Sequence, residues 1–175
     1  MFLFGHLGIG LKLASPWRRG LSRRLILLGT ILPDLMDKPL YYGLSWITGK
    51  SGADLGMIAG TRSFGHTALV LLSMTLTSVI FRIRWLAAIC IGVATHLLLD
   101  NVGDRFLSGH DFTLRALLWP FLGWQFPAYP FSGAHQHFGR ISEPYFFTTE
   151  ILGFLILCWE YWKHRRIRRI RLQSQ

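Results

Sequence analysis

The chain has 175 residues, 51% of them hydrophobic and 14% aromatic, and a formal charge of +10 at neutral pH. A mean hydropathy of +0.34 lies above the range of ordinary soluble domains and fits a bilayer protein of one domain's length. The charge alone would suit a nucleic-acid partner, but its placement argues against one: no recognisable nucleic-acid fold or basic surface interleaved with aromatics accompanies it.

The basic residues cluster at the ends of apolar runs. Lys12, Arg18, Arg19, Arg23 and Arg24 separate the first two runs, Arg82 and Arg84 separate two later ones, and Lys163, Arg165, Arg166, Arg168, Arg169 and Arg171 close the chain. Taken as cytoplasmic anchors, they predict a zigzag in which residues 2–14 run inward, 21–37 outward, 66–81 inward, 85–101 outward and 145–162 inward. The expected fold is therefore all-α, a polytopic membrane bundle of about four to five segments. Residues 1–162 form its single embedded domain, and 163–175 a basic cytoplasmic tail that attracts anionic headgroups. A run of about 15 residues spans only roughly 23 Å, so several segments need their ends shielded. Residues 2–14 contain His6 and lack the basic start and cleavage site of a signal peptide, which predicts a retained segment. Two linkers, about 40–64 and 102–144, fall on the outer side; the second carries Trp119, Pro120, Trp124, Phe126, Pro127, Tyr129, Pro130 and Phe131 and reads as an aromatic-rich interfacial loop or re-entrant cap. Cys90 and Cys158 lie inside apolar runs without CxxC spacing and read as packed thiols, which leaves the redox compartment open.

The zigzag places polar residues at one depth. Asp34 falls roughly 15 Å above Arg24 and His96 roughly 17 Å above Trp85, with Asp37 and Asp100 a turn higher. His66 begins its segment at the outer end, and His6 lies in the outward half of the first. Six ionisable groups from four segments thus share the outer half of the bundle, where each must pair, line a wet cavity or bind an ion. His96 and Asp100 form H-x-x-x-D, an i, i+4 pair on one helix face. Alone, such a pair is equally a buried hydrogen-bonded couple. Asp34 and Asp37 in L-P-D-L-M-D follow Pro33, which predicts a broken or newly started turn presenting two carboxylates inward; a cap plus a surface charge is the plainer reading, and Lys38 can neutralise only one of the two.

Imidazoles from His6, His66 and His96 with carboxylates from Asp34, Asp37 and Asp100 make a mixed nitrogen and oxygen set. It suits zinc, manganese or iron, as one ion or as two sharing a bridging carboxylate. Such a centre activates water and neutralises charge on an ester's developing oxyanion, the logic of phosphoester hydrolysis. Arg62, four residues before His66, can clamp a phosphate as a bidentate fork or serve as a loop anchor. Membrane lipid phosphatases of the phosphatidic-acid type also use H-x-x-x-D, but with Ser-Arg where this chain has Ile89-Cys90. No nucleophile elbow, phosphate-binding loop, H-E-x-x-H or dinucleotide fingerprint is present. His110, His135 and His137, with Asp104, Asp111 and Glu143, lie in the second outer linker, and A-H-Q-H there is a loose metal motif.

In order, Gly5-His6, Leu32-Pro33-Asp34 with Asp37, Arg62 with His66, His96 to Asp100, and Leu118-Trp119-Pro120 resemble the LexA-regulated, membrane-bound metal-dependent hydrolase family. The resemblance covers about 120 residues and implies a helical protein of the bacterial inner membrane with a metal-dependent hydrolase site. Two departures stand out. The family's H-R-G-x-T-H corresponds to Thr61-Arg62-Ser63-Phe64-Gly65-His66, so Thr61 replaces a histidine, and the Thr and Gly that often follow H-L-L-L-D give way to Asn101-Val102-Gly103-Asp104. The lost nitrogen implies one metal instead of two, replacement by Asp104 or the A-H-Q-H loop, or weakened catalysis.

The leading expectation is a metal-dependent hydrolase cleaving a phosphoester of a lipid or lipid-linked molecule at the outer membrane boundary. Asp34, Asp37, His66, His96 and Asp100 hold a divalent metal, His6 is a ligand or base, and Asp37, His6 and Arg62 are the catalytic candidates. The alternatives are a non-catalytic metal- or proton-handling membrane protein and a module in which the polar groups only fix helix register. Clustering at one depth favours a hydrolase, because an ion path would ladder polar groups across the membrane.

Overall fold

The computed structural model describes residues 1–107, 111–128 and 139–173, and all regular structure within them is helical. Seven α-helices follow in order: α1 (Leu3–Leu13), α2 (Arg23–Gly29), α3 (Leu32–Thr48), α4 (Ala68–Ile80), α5 (Arg84–Leu107), α6 (Phe112–Leu117) and α7 (Pro144–Gln173). Short 3-10 turns at Gly52–Leu55, Phe64–His66 and Arg140–Ser142 punctuate the linkers. The all-α expectation holds. Among the described residues one helix, over Arg84–Arg105, is both long and apolar enough to cross a membrane, with two-thirds of its apolar window (67%) buried inside the molecule. Leu3–Leu13 and Ala68–Ile80 are apolar but shorter.

Contacts between helices give their relative directions. Phe4 and Gly5 meet Glu150, and Gly8 meets Gly153, so α1 and α7 run parallel. His6 lies beside Asp100 while Leu11 and Ala14 pack with Ala88, so α5 runs against both. Central α5 also receives α2, with Ile26 in the Leu11, Ala14 and Ala88 cluster, and α4, whose Leu71 and Met74 cover Ile89, Val93 and Leu97. At the α4–α5 turn Arg82 takes the left-handed region with φ 52°.

Three boundaries differ from the sequence expectation. The run 21–37 is two helices, because Pro33 at the start of α3 has no N–H to continue the ladder of α2, and the chain reorients at Thr30–Ile31. Helix α3 continues through Pro39 to Thr48, so the first linker starts at Gly49, whose φ of 67° ends the helix in the left-handed region. The basic stretch after residue 162 continues α7 as helix to Gln173. The aromatic-rich linker is partly helical, and Trp119 and Phe126 pack edge-on against Phe64 at centroid distances of 5.6 and 5.1 Å, covering the turn that carries His66. Its residues 129–138 lie outside the described part.

Two helix crossings leave no room for a side chain. A Cβ at Gly8 would stand 2.0 Å from the Gly153 carbonyl oxygen, and one at Gly92 would stand 2.2 Å from that of Ile26. Gly92→Val should therefore force α2 from α5 and cost about 1–3 kcal/mol as overpacking. A lowered thermal midpoint checks this. Gly43→Ala, where nothing lies within 4 Å of a new Cβ, should hold or raise the midpoint, because Ala favours helix over Gly by about 1 kcal/mol.

Candidate metal centre

The break before α3 and the turn at Phe64–His66 bring four stretches of chain to one buried point. His6, His66, His96, Asp37 and Asp100 are all at most 3% exposed. Asp34, at the first turn of α3, is the more open member, with 20% of its side chain accessible.

The orientation of two imidazoles follows from their far nitrogens. His96 Nδ1 lies 2.8 Å from the carbonyl oxygen of Thr30. In an unbroken helix that oxygen would accept from the amide four residues on; the break supplies it to His96 instead. A carbonyl can only accept, so His96 carries its proton on Nδ1 and a lone pair on Nε2. His66 Nδ1 lies 2.7 Å from Asp37 Oδ2 and donates to it, leaving Nε2 again as the lone pair. The two Nε2 atoms face each other at 3.2 Å. Two lone pairs at that distance repel unless a cation or a proton sits between them.

Carboxylate oxygens complete the cage. Asp100 Oδ2 is 3.6 Å from His66 Nε2 and 3.7 Å from His96 Nε2, and Asp34 Oδ1 is 3.8 and 4.0 Å from the same atoms. In a tetrahedral zinc site with bonds of about 2.0–2.1 Å, neighbouring ligand atoms stand about 3.3 Å apart. His66 Nε2, His96 Nε2 and Asp100 Oδ2 already stand near this spacing, and Asp34 Oδ1 reaches it by moving in about 0.5–0.7 Å, so the donor set can hold a divalent ion.

His6 stands beside this cage. Its ring stacks on His96 at a centroid distance of 4.0 Å, and its Nε2 is 3.2 Å from Asp100 Oδ1 without hydrogen-bond geometry. Two triads result, His6 with His96 and Asp100, and Asp34 with His66 and His96. Both draw on His96, whose Nδ1 is committed to Thr30. An imidazole nitrogen has one lone pair, so the two triads cannot be filled together through His96, and the geometry suits one ion. Among the described residues, the buried side-chain atoms without hydrogen-bond partners are both ring nitrogens of His6 and the Ser63 hydroxyl, all at this site.

Not every expected ligand converges. Asp37 stands one step behind, because its oxygens accept from Ser63 N at 2.7 Å, Gly65 N at 2.9 Å and the His66 ring. It therefore shapes the turn and aims His66. Arg62 is no open phosphate fork: Nη2 is 3.1 Å from Asp100 Oδ2, and Nη1 is held by Asp104 and Thr113. Asp104 is thereby engaged by Arg62 and by the Thr113 backbone at 3.1 Å, and it does not replace the nitrogen missing at Thr61. Lys38 Nζ pairs with Asp34 Oδ2 at 2.6 Å, leaving Oδ1 for the cage. Asp111 pairs with Arg105 and Glu143 with Arg140. His110, His135 and His137 lie outside the described residues.

Glu150 went unnoticed in the sequence. Its Oε2 and Oε1 accept from the Phe4 and Gly5 amides, both at 2.8 Å, and so cap α1, which has no cap of its own. Nothing hydrogen-bonded orients the His6 ring, so its place is set by the backbone that Glu150 grips one residue earlier. The signal was available: an acid inside the apolar run 145–162 needs a partner, as Asp34 and Asp100 do.

No family model, curated protein or solved structure matches the chain.

Glu150→Ala should cost about 0.5–2 kcal/mol of stability, because the Phe4 and Gly5 amides lose their acceptor, with Glu150→Gln intermediate because it keeps one acceptor oxygen. Thermal unfolding checks this; an unchanged midpoint in Glu150→Ala would detach Glu150 from the start of α1.

Proposed function

We propose that the chain is a membrane-bound metal-dependent hydrolase with one divalent ion, zinc or manganese, held by His66, His96, Asp34 and Asp100. The observation that carries the reading is the pair of lone-pair nitrogens facing each other at 3.2 Å inside a cage of carboxylates. An ion there would activate water and polarise an ester oxygen provided it takes the water as a fifth ligand or in place of Asp34, the more open donor. Asp37 and the Thr30 carbonyl keep the two imidazoles in the binding tautomer. His6, with both ring nitrogens unpartnered beside Asp100, is placed to take or return a proton. Arg62 offsets Asp100 and Asp104, which lowers the cost of gathering carboxylates in a buried site.

The bilayer reading has its own support. Leu69, Leu72, Leu76, Val79 and Ile80 are exposed along α4, and Ile151, Leu152, Phe154, Leu155, Trp159 and Trp162 along α7. Helix faces this apolar seek lipid. The basic ends support a cytoplasmic C-terminus, with the cage at the opposite boundary of a bacterial inner membrane, within reach of a lipid or lipid-linked phosphoester. The resemblance to the LexA-regulated hydrolases points the same way. A second reading, non-catalytic metal or proton handling, draws on the same 3.2 Å contact, which one shared proton would also satisfy.

Purified protein should carry about one ion per chain and cleave a model phosphodiester or a lipid phosphate. His96→Ala should release the ion, and both His96→Ala and chelation should lower turnover by at least 100-fold. Metal retained by His96→Ala refutes the cage. Metal bound without turnover on any phosphoester favours the carrier, and absence of metal favours the shared proton.

A further inference from the structure

Charge is divided unevenly between the two ends of the bundle. Thirteen of the nineteen Lys and Arg residues lie in 12–24, 82–84 and 163–171, and none of the nine acids does. The fold gathers these stretches. Arg18 Nη1 and Arg23 Nη2 lie 3.3 and 2.7 Å from Glu160 Oε2, and the Arg84 guanidinium lies 3.1 Å from where a Cβ would stand at Gly20. Glu160 is buried and bound by two arginines, so it ties α7 to the α1–α2 loop while leaving an excess of positive charge.

Beside this knot is a cavity of about 370 Å³ lined by Lys12, Leu155, Ile156, Trp159 and Glu160. Among the described residues Lys12 is exposed and has no ion-pair partner. Leu155 and Trp159 are 57% and 60% exposed. Glu160 at the cavity wall is already bound by Arg18 and Arg23, so a molecule filling the cavity must offer negative charge to Lys12 and apolar surface to Leu155, Ile156 and Trp159. Inorganic phosphate supplies only the first. A phospholipid with a net negative headgroup supplies both, and tryptophan is favoured where headgroups meet acyl chains.

We propose that this cavity binds an anionic phospholipid, its phosphate against Lys12 and its chains along Leu155 and Trp159. The site rests on the bilayer reading. It does not depend on the metal cage, with which its lining shares no residue; Lys12 lies about 9 Å along α1 from His6 by helix rise.

The test titrates detergent-purified protein with phosphatidylglycerol, phosphatidylcholine and inorganic phosphate, with bound lipid counted by native mass spectrometry and thermal stability read in parallel. Phosphatidylglycerol stays bound and raises the midpoint; the other two do not. Lys12→Ala weakens its retention about fivefold, the effect of one basic residue at an anionic surface, whereas Lys50→Ala, in the linker after α3, leaves it unchanged. Equal retention of the two lipids, an equal effect of phosphate, or full retention by Lys12→Ala overturns the site in a chain that needs detergent. A chain soluble without detergent overturns the bilayer reading and this site with it.

Discussion

Two imidazole lone pairs held 3.2 Å apart inside an apolar bundle are the constraint on which the structure turns. With neither nitrogen protonated that contact is repulsive, and burial removes the water that would soften it. The surrounding chain enforces it all the same. Thr30 holds one ring and Asp37 the other, and the carboxylates of Asp34 and Asp100 face the gap. Structure assembled against an electrostatic cost is explained when a positive charge occupies the gap in the working state.

The enforcement begins in the backbone. Pro33 ends the ladder of α2 and so releases the Thr30 carbonyl to His96, while Gly29 and Gly92 let α2 approach α5 closely enough for that oxygen to reach the ring. Gly65 N and Ser63 N bond to Asp37, which both closes the turn and charges the acceptor that aims His66. At the other wall Glu150 and Gly153 fix the first turn of α1 and with it His6. His66 and His96 are thus each aimed by a group in another element, whereas Asp34 is held by Lys38 of its own helix.

Much of this was legible in the sequence. Helical class and the gathering of His6, Asp34, His66, His96 and Asp100 follow from apolar runs and the cost of burying charge, which act over distances that sequence spacing captures. The division of labour within the cluster was not legible, because it depends on which oxygen meets which nitrogen. Asp37 and Asp34 sit one turn apart on the same helix, yet the 63–66 turn saturates Asp37, while Lys38 takes only one oxygen of Asp34. Arg62 reads as a phosphate clamp until the fold brings Asp104 and Thr113 to it. The extension of α3 through Pro39 was also not legible, and beyond that proline only Tyr41 is buried.

The most direct measurement is X-ray absorption on the zinc-loaded protein at the metal edge. A single shell of nitrogen and oxygen at about 2.0–2.1 Å, with outer-shell scattering from two imidazoles, is the result the cage predicts. A shell containing sulfur at about 2.3 Å, or one without imidazole scattering, would contradict it.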